Sequence, residues 1–494
     1  AARLGTVYNV FPVRWPIGRK VQTMSRWIVT MVLCGLVMCV AAVCLGEEPT
    51  HAWQVGDDML MLRLTRTAEG GIVETCAVRG TDMPFEGAPG ALLVAGQKWQ
   101  ELQTAEVAAS QGGVELLGTA AGLTWRLRYE RTGPGMVTKS LVLESQLDVV
   151  LERVAPAAFT AQPAPAIAST RLQDIAAFVH SGDQGMFLSL DFPYSRIATE
   201  DGRTRVAYPA FASLRTGTAY VCHSLTIGAT QLSGELRYGR DTGDVAAMDA
   251  YLQSRHPQRF DRPMLVSACI NNRYTMPRDG IIWYTYKDHP TLSYNLDLMK
   301  RELDLMPQLG MEYYQVFPGI FDWVPGDPEP DTVREMVAYG NSRGVRVGDY
   351  SGCNSVFCAH YNEHGNTLDR PDWRMRDAQQ NAGGFCFGCP EFVAHYIDTV
   401  VPAAREFGFK LHCFDFLGIA PCFADHGHPA GDDSVYQQVA GLVRIMQALA
   451  DVHPEMMVWS NSGNWSEFLP KIAWWNPNLY LTDPFIATPW PGLN

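Results

Sequence analysis

Near residue 240 the hydrophobic spacing of this chain changes period, and that change calls for two different architectures in one molecule. From about Glu47 to Tyr238, apolar and polar residues alternate. Leu123, Trp125, Leu127 and Tyr129 share one side of a strand, and Thr124, Arg126 and Arg128 share the other. Val137 to Ser145 forms a second strand of the same kind, with Gly and Pro punctuating the gaps. Short alternating strands separated by such turns indicate an antiparallel sandwich.

After Arg240 short apolar runs alternate with helical spacing instead. The runs are PMLVSACI from Pro263, MEYYQVF, VRVGDY, FKLHCFDF, MMVWS and LYLTDPF. Between them lie helices expected at Leu296 to Leu309, Asp331 to Arg343, Pro390 to Phe407, Ser434 to Val452 and Trp465 to Trp475. Pro307 distorts the last turn of the first, and Gly310, Gly344 and Gly408 each stop a helix just before a strand. Strand and helix in this order make a parallel sheet, and the absence of a phosphate-binding GxGxxG favours a barrel. The expected fold is therefore a multidomain β and α/β protein. An N-terminal antiparallel β-sandwich at 47–240 precedes a (β/α)8 TIM barrel at 241–494, truncated after about six strands, so the sequence reads as a fragment.

Residues 1–23 lack an initial Met and any periodicity, and read as upstream non-native translation. From Met24 the order is Arg26, an apolar run from Trp27 to Leu45, then Gly46-Glu47-Glu48-Pro49. That is a signal peptide at 24–46, or a membrane anchor if it stays uncleaved, and it implies a secreted or periplasmic protein.

The formal charge of -13 argues against a nucleic-acid partner, which needs clustered cations, and suits a neutral carbohydrate substrate better. Of twelve cysteines, Cys34, Cys39 and Cys44 lie in the signal region, and the remaining nine are too odd a number for complete pairing. Cys386-Phe387-Gly388-Cys389 has CxxC spacing without a second CxxC, which reads as a local disulfide or buried thiols.

Functional groups of a parallel barrel gather at the C-terminal strand ends, where the βα loops open. In order these ends carry Asn271, Asn272 and Arg273; Asp322 and Trp323; Asp349, Tyr350 and Asn354; Asp415; Ser460, Asn461, Ser462 and Asn464; and Asp483. Carboxylates, amides and Trp together suit a sugar, whose C–H faces stack on rings while its hydroxyls pair with acids and amides. Asp415 sits between Phe414 and Phe416 in an otherwise apolar strand, where an unpartnered acid is costly. With Asp483 two strands on, it makes a candidate pair for two-carboxylate glycoside hydrolysis. A competing constellation is His412, Asp425, His426, His428, Asp432 and Asp433, which could bind a metal. Its Gly/Pro-rich setting and lack of i, i+4 histidine spacing read instead as a substrate-binding loop, so no metal and no cofactor is assigned.

With these residues placed, the barrel half resembles family 36 of the glycoside hydrolases, the α-galactosidase-like members of clan D. Arg370-Pro371-Asp372-Trp373 resembles the family's His-Pro-Asp-Trp stretch. The helix from Pro390 followed by LHCFDF resembles its nucleophile strand. Asn461-Ser462-Gly463, Trp474-Trp475 and Leu481-Thr482-Asp483 resemble its small-residue loop and acid/base strand. The resemblance implies a retaining exo-acting α-glycosidase with Asp415 as nucleophile and Asp483 as acid/base. Asp322, Trp323, Asp349, Asn461, Ser462, Asn464 and His412 would then be substrate-binding residues.

The departures fall on sugar contacts rather than on the two acids. The family's Lys-Trp-Asp is Cys413-Phe414-Asp415 here, its Asp-Asp-Gly-Trp is only echoed by Phe321-Asp322-Trp323, and an expected arginine is replaced around Asn464-Trp465. Alternatives on the same scaffold are a transglycosidase and a non-catalytic carbohydrate-binding protein. A metal hydrolase is the remaining rival.

Overall fold

A computed structural model describes residues 52–110, 113–169, 174–237, 240–255, 266–269, 296–316, 319–322, 329–351, 354, 370–414, 417–460 and 479–481. The alternating half forms two antiparallel sheets of nine strands each among the described residues. One runs through Ala52–Gly56, Leu60–Arg66, Ile72–Val78, Thr81–Ala88, Val149–Ala161, Arg203–Leu214 and Arg196–Glu200 in spatial order. The other is centred on Met136–Ser145, which pairs with Leu123–Gly133 on one side and Leu225–Gln231 on the other. Leu60, Leu62 and Leu64 of the first sheet, and Trp125, Leu127, Leu141 and Leu143 of the second, are buried in a shared core. Period-two burial along Leu60–Arg66 and Leu123–Gly133 is what a sheet with one covered face requires, whereas Gln184–Leu190 and Arg203–Leu214 are buried along most of their length.

Two inward positions in this core are charged. Glu74 lies in the series Ile72, Glu74, Cys76, Val78, and Lys139 in the series Val137, Lys139, Leu141, Leu143. Lys139 Nζ donates to Glu74 Oε1 at 2.7 Å, bridging the two sheets with both side chains fully buried. The Tyr129 hydroxyl donates to the same carboxylate oxygen. Burial pulls the Lys139 ammonium below its usual range, and Glu74 opposes that pull.

Helix α1 (Thr242–Arg255) is one element the residue pattern does not anticipate. Its Val245, Met248, Tyr251 and Leu252 pack on Phe178 and Phe187, so the first residues assigned to the barrel half belong to the sandwich. Arg255 ties its end to Asp191 at 2.5 Å.

The second half contains a six-stranded parallel sheet whose strands are neighbours in chain order. Parallel strands 1 to 6 are Val266–Cys269, Tyr313–Val316, Arg346–Ser351, Leu411–Phe414, Met457–Ser460 and Leu479–Leu481. Helices α2 (Leu296–Leu305), α3 (Pro330–Ser342), α4 (Pro390–Phe407) and α5 (Ser434–Ala450) form the connections between strands 1 and 5. As Pro307 predicts, α2 passes into a 3-10 turn at Met306–Leu309, capped by left-handed Gly310 with φ 70°. Gly408, with φ 73°, ends α4 in the same way.

Each end strand of the parallel sheet has one neighbour among the described residues, so a closed (β/α)8 barrel is not seen there. The helix expected at 465–475 lies outside the described residues. A hairpin of Arg374–Arg376 with Ala382–Phe385, which the pattern does not predict, precedes α4. Among the described residues no helix is long and apolar enough to cross a membrane; the segment at 24–46 lies outside them.

Candidate functional site

The register of the parallel strands defines where their C-terminal ends lie. Ser351, Phe414, Ser460 and Leu481 form one row across strands 3 to 6. Asp415 and Asn461 follow that row by one residue in the chain, and Asp483 by two. Asp415, Asp483, Trp323, Asn461, Ser462 and Asn464 themselves lie outside the described residues. Asp322 is described only by its backbone, in the 3-10 turn Ile320–Asp322.

Two residues earlier, a second row contains Val316, Asp349, His412 and Val458. Asp349 and His412 are thus adjacent on strands 3 and 4, and both are fully buried. His412 Nδ1 meets Asp349 Oδ1 at 2.8 Å. Asp349 Oδ2 accepts the Ile320 N–H at 2.9 Å, and His412 Nε2 meets the Tyr396 hydroxyl at 2.8 Å. With Asp349 accepting at both oxygens, Nδ1–H donates to it and Nε2 accepts from Tyr396, which fixes one imidazole tautomer without requiring charge. Phe321 lies over Tyr396 with ring centroids 4.2 Å apart. The two residues expected to touch sugar therefore form an internal relay. It fixes the turn after strand 2, strands 3 and 4, and α4 with respect to one another.

Asn354 performs a similar task one layer out. Its buried amide donates to Phe385 O at 2.8 Å and Gly418 O at 2.6 Å, and its Oδ1 accepts from Gly418 N at 2.8 Å. The loop after strand 3 is thereby clamped to the hairpin and to the loop that follows Asp415 and Phe416. A mouth-facing amide expected from its chain position is instead a loop clamp. Arg370-Pro371-Asp372-Trp373 forms a surface clasp in which Arg370 pairs with Asp372 at 2.5 Å and lies 4.0 Å over the Trp373 ring. The Arg370 guanidinium holds the Asp372 carboxyl below its usual range.

The fold disperses His412 and the acids of the competing constellation but keeps His426 and His428 together, with ring centroids 5.4 Å apart. His412 belongs to the relay, Asp425 is exposed, and Asp433 pairs with Arg153 of the sandwich at 2.7 Å. Asp432 stands 3.7 Å from Arg196, also of the sandwich. Tyr436, at the start of α5, adds a hydrogen bond to His223 at 2.8 Å and stacks on Tyr208. These contacts anchor the loop between strand 4 and α5 against the sandwich. Cys386 and Cys389 are both free thiols, not a local disulfide, and the Cys389 thiol donates to Glu391 at 3.3 Å.

No family model matches the chain, and no curated protein matches it by sequence. Solved structures do. The family 36 α-galactosidase AgaB of Geobacillus stearothermophilus aligns with a TM-score of 0.61 at 12% identity, over 90% of this chain and 75% of its own. AgaA of the same organism gives 0.59 at 12% identity, over 88% and 75%. The α-galactosidase of Lactobacillus brevis gives 0.56 at 10% identity, over 88% and 73%. Variants of AgaA were crystallised with raffinose and with stachyose. At such identities the likeness is one of fold, and at that level the distant resemblance to family 36 holds.

Proposed function

We propose that the chain is a retaining, exo-acting α-glycosidase in which Asp415 is the nucleophile and Asp483 the acid/base. The observation that carries this reading is the row of strand ends just upstream of both acids, in a fold shared with α-galactosidases. Strands 4 and 6 are separated by one strand, hence by roughly 9.5 Å of backbone. A retaining mechanism requires the two carboxyl groups to stand ~5–5.5 Å apart. In this reading the six parallel strands are those of a (β/α)8 barrel.

Asp415 attacks the anomeric carbon while Asp483 gives its proton to the glycosidic oxygen, and the aglycone leaves. Asp483 then takes a proton from water, whose oxygen attacks the anomeric carbon and releases Asp415 from the ester. The relay of Asp349, His412 and Tyr396 keeps the strand-4 backbone fixed beneath the nucleophile, which limits misalignment of the reacting atoms.

Cys413 occupies the position of the family's lysine, and its side chain is buried, so no cation contacts substrate from there. Degraded contacts of this kind favour a second reading, a carbohydrate-binding protein without turnover. A panel of aryl α-glycosides offered to the full chain, beside Asp415→Ala, separates the two. Release of the aryl group by the parent and its loss in the variant support the enzyme. Sugar binding with no release from any glycoside supports the binder. We also propose secretion through the segment at 24–46; N-terminal sequencing of mature protein that still begins at or before Met24 contradicts it.

A further inference from the structure

The loop from strand 4 to α5 and the turn before α4 bring four metal-binding side chains to one point. Cys386, Cys422, His426 and His428 each offer one ligand atom, and these atoms all lie within 4.8 Å of one another. Cys386 Sγ is 3.3 Å from His428 Nε2, and Cys422 Sγ is 3.9 Å from His426 Nδ1. A tetrahedral zinc ion with Zn–S of about 2.3 Å and Zn–N of about 2.0–2.1 Å sets its ligand atoms roughly 3.3–3.8 Å apart. The four side chains thus reach coordination by adjustments of an ångström or less.

The surroundings are built to hold this geometry. His428 Nδ1 donates to Pro429 O at 2.8 Å, so its proton is on Nδ1 and the Nε2 lone pair faces Cys386. Gly427, between the two histidines, is left-handed with φ 75°, a conformation that other residues rarely adopt. A Cβ on Gly388 would stand 2.6 Å from His428 Cδ2, so the turn approaches the imidazole as only glycine allows. The loop is closed by Gly431 N donating to Cys422 O at 2.8 Å, and Cys422 N donates to Ser434 Oγ at 2.8 Å. Cys386 N is likewise held by Trp373 O at 2.8 Å. Three of the four residues are buried.

We propose that Cys386, Cys422, His426 and His428 form a structural zinc site that staples the strand 4–α5 loop to the start of α4. Four protein ligands close the coordination sphere and leave no position for a reacting water. The ion therefore acts by fixing the loop that begins at Asp415, not by taking part in glycoside chemistry. The Gly/Pro-rich setting and the lack of i, i+4 histidine spacing hide the site in the sequence, and Cys386 lies far along the chain from the other three, while Cys389 faces Glu391.

The test uses the full chain, purified without chelator, then chelated and refilled with Co2+. The proposal expects one zinc ion per chain on isolation. It also expects the refilled protein to show thiolate-to-cobalt charge transfer and the visible bands of a tetrahedral site. Cys386→Ser and His428→Ala lose the ion, whereas Cys389→Ser keeps it and its spectrum. Near-UV circular dichroism of the metal-free parent, whose side chains are all intact, keeps the result readable if a variant fails to fold. Protein that retains neither zinc nor cobalt, an octahedral cobalt spectrum, or a Cys386–Cys422 disulfide in the native peptide map overturns the proposal.

Discussion

At the scale of single residues, the buried pair of Lys139 and Glu74 shows how local pattern and global fold interact. Both occupy inward positions of alternating strands, where the pattern demands apolar side chains, and each is tolerated only because the other sheet supplies its partner. Removing one charge strands the other, at a cost of about 3–5 kcal/mol, whereas replacing the pair by apolar residues is often neutral or stabilising. Lys139→Met is thus expected to shift urea unfolding of the full chain strongly. Glu74→Leu with Lys139→Met recovers most of the loss. Equal destabilisation by the single and double variants contradicts the assignment. The signal was legible in the sequence as two charges out of phase with their strands, but their pairing was not, since the two residues lie on different sheets. Asp349 and His412 were legible as polar groups on apolar strands, but not as each other's partners, because only the register of strands 3 and 4 places them side by side. Asp349→Asn keeps one acceptor oxygen where two are used, and is expected to destabilise by about 1–3 kcal/mol. An unchanged unfolding midpoint contradicts the relay.

At the scale of elements, helices stopped by Gly310 and Gly408 could be placed from sequence because a left-handed cap is a local requirement. Helix α1 was not, because Ala246, Ala247 and Ala250 blur the stripe made by Val245, Met248 and Leu252. The hairpin before α4 was missed for a different reason: Arg374–Arg376 and Ala382–Phe385 are short and carry little alternation.

At the N-terminal ends of strands 3 to 5, Glu455 accepts from Arg346 at 2.6 Å and from Lys410 at 2.8 Å. Lys410, then Arg346, hold its carboxyl down from 4.5 to about 2. A depressed folded-state value means that the stabilisation is complete above about pH 4.5 and disappears as pH falls toward 2. Because the side chain is 39% exposed, solvent screening limits it to about 1 kcal/mol or less. Glu455→Gln is expected to be slightly less stable than the parent at pH 7 and to converge with it near pH 2. A gap that widens on acidification contradicts the ion triad.

At the scale of the whole molecule, the shift from period two to strand–helix alternation correctly separated an antiparallel sandwich from a parallel sheet. It could not reveal what links them. Arg153 with Asp433, and Tyr436 with Tyr208 and His223, attach the loop after strand 4 to the sandwich. Side-chain pairings across hundreds of residues leave no periodic trace. The same loop carries three of the four proposed zinc ligands and follows directly on Asp415 and Phe416. The sandwich, the metal and the relay thus converge on one backbone segment, which gives the molecule a reason to position that strand end from several directions.

If Asp415 is the nucleophile, it forms a covalent bond to the sugar. Full chain incubated with a panel of ring-fluorinated α-glycosides bearing good leaving groups, whose fluorine slows turnover of the glycosyl-enzyme, tests it by peptide mapping. The expected result is a single glycosyl adduct on the peptide containing Asp415, lost in Asp415→Ala. Glycoside turnover with the adduct on another residue, or with no adduct and undiminished activity in Asp415→Ala, contradicts it.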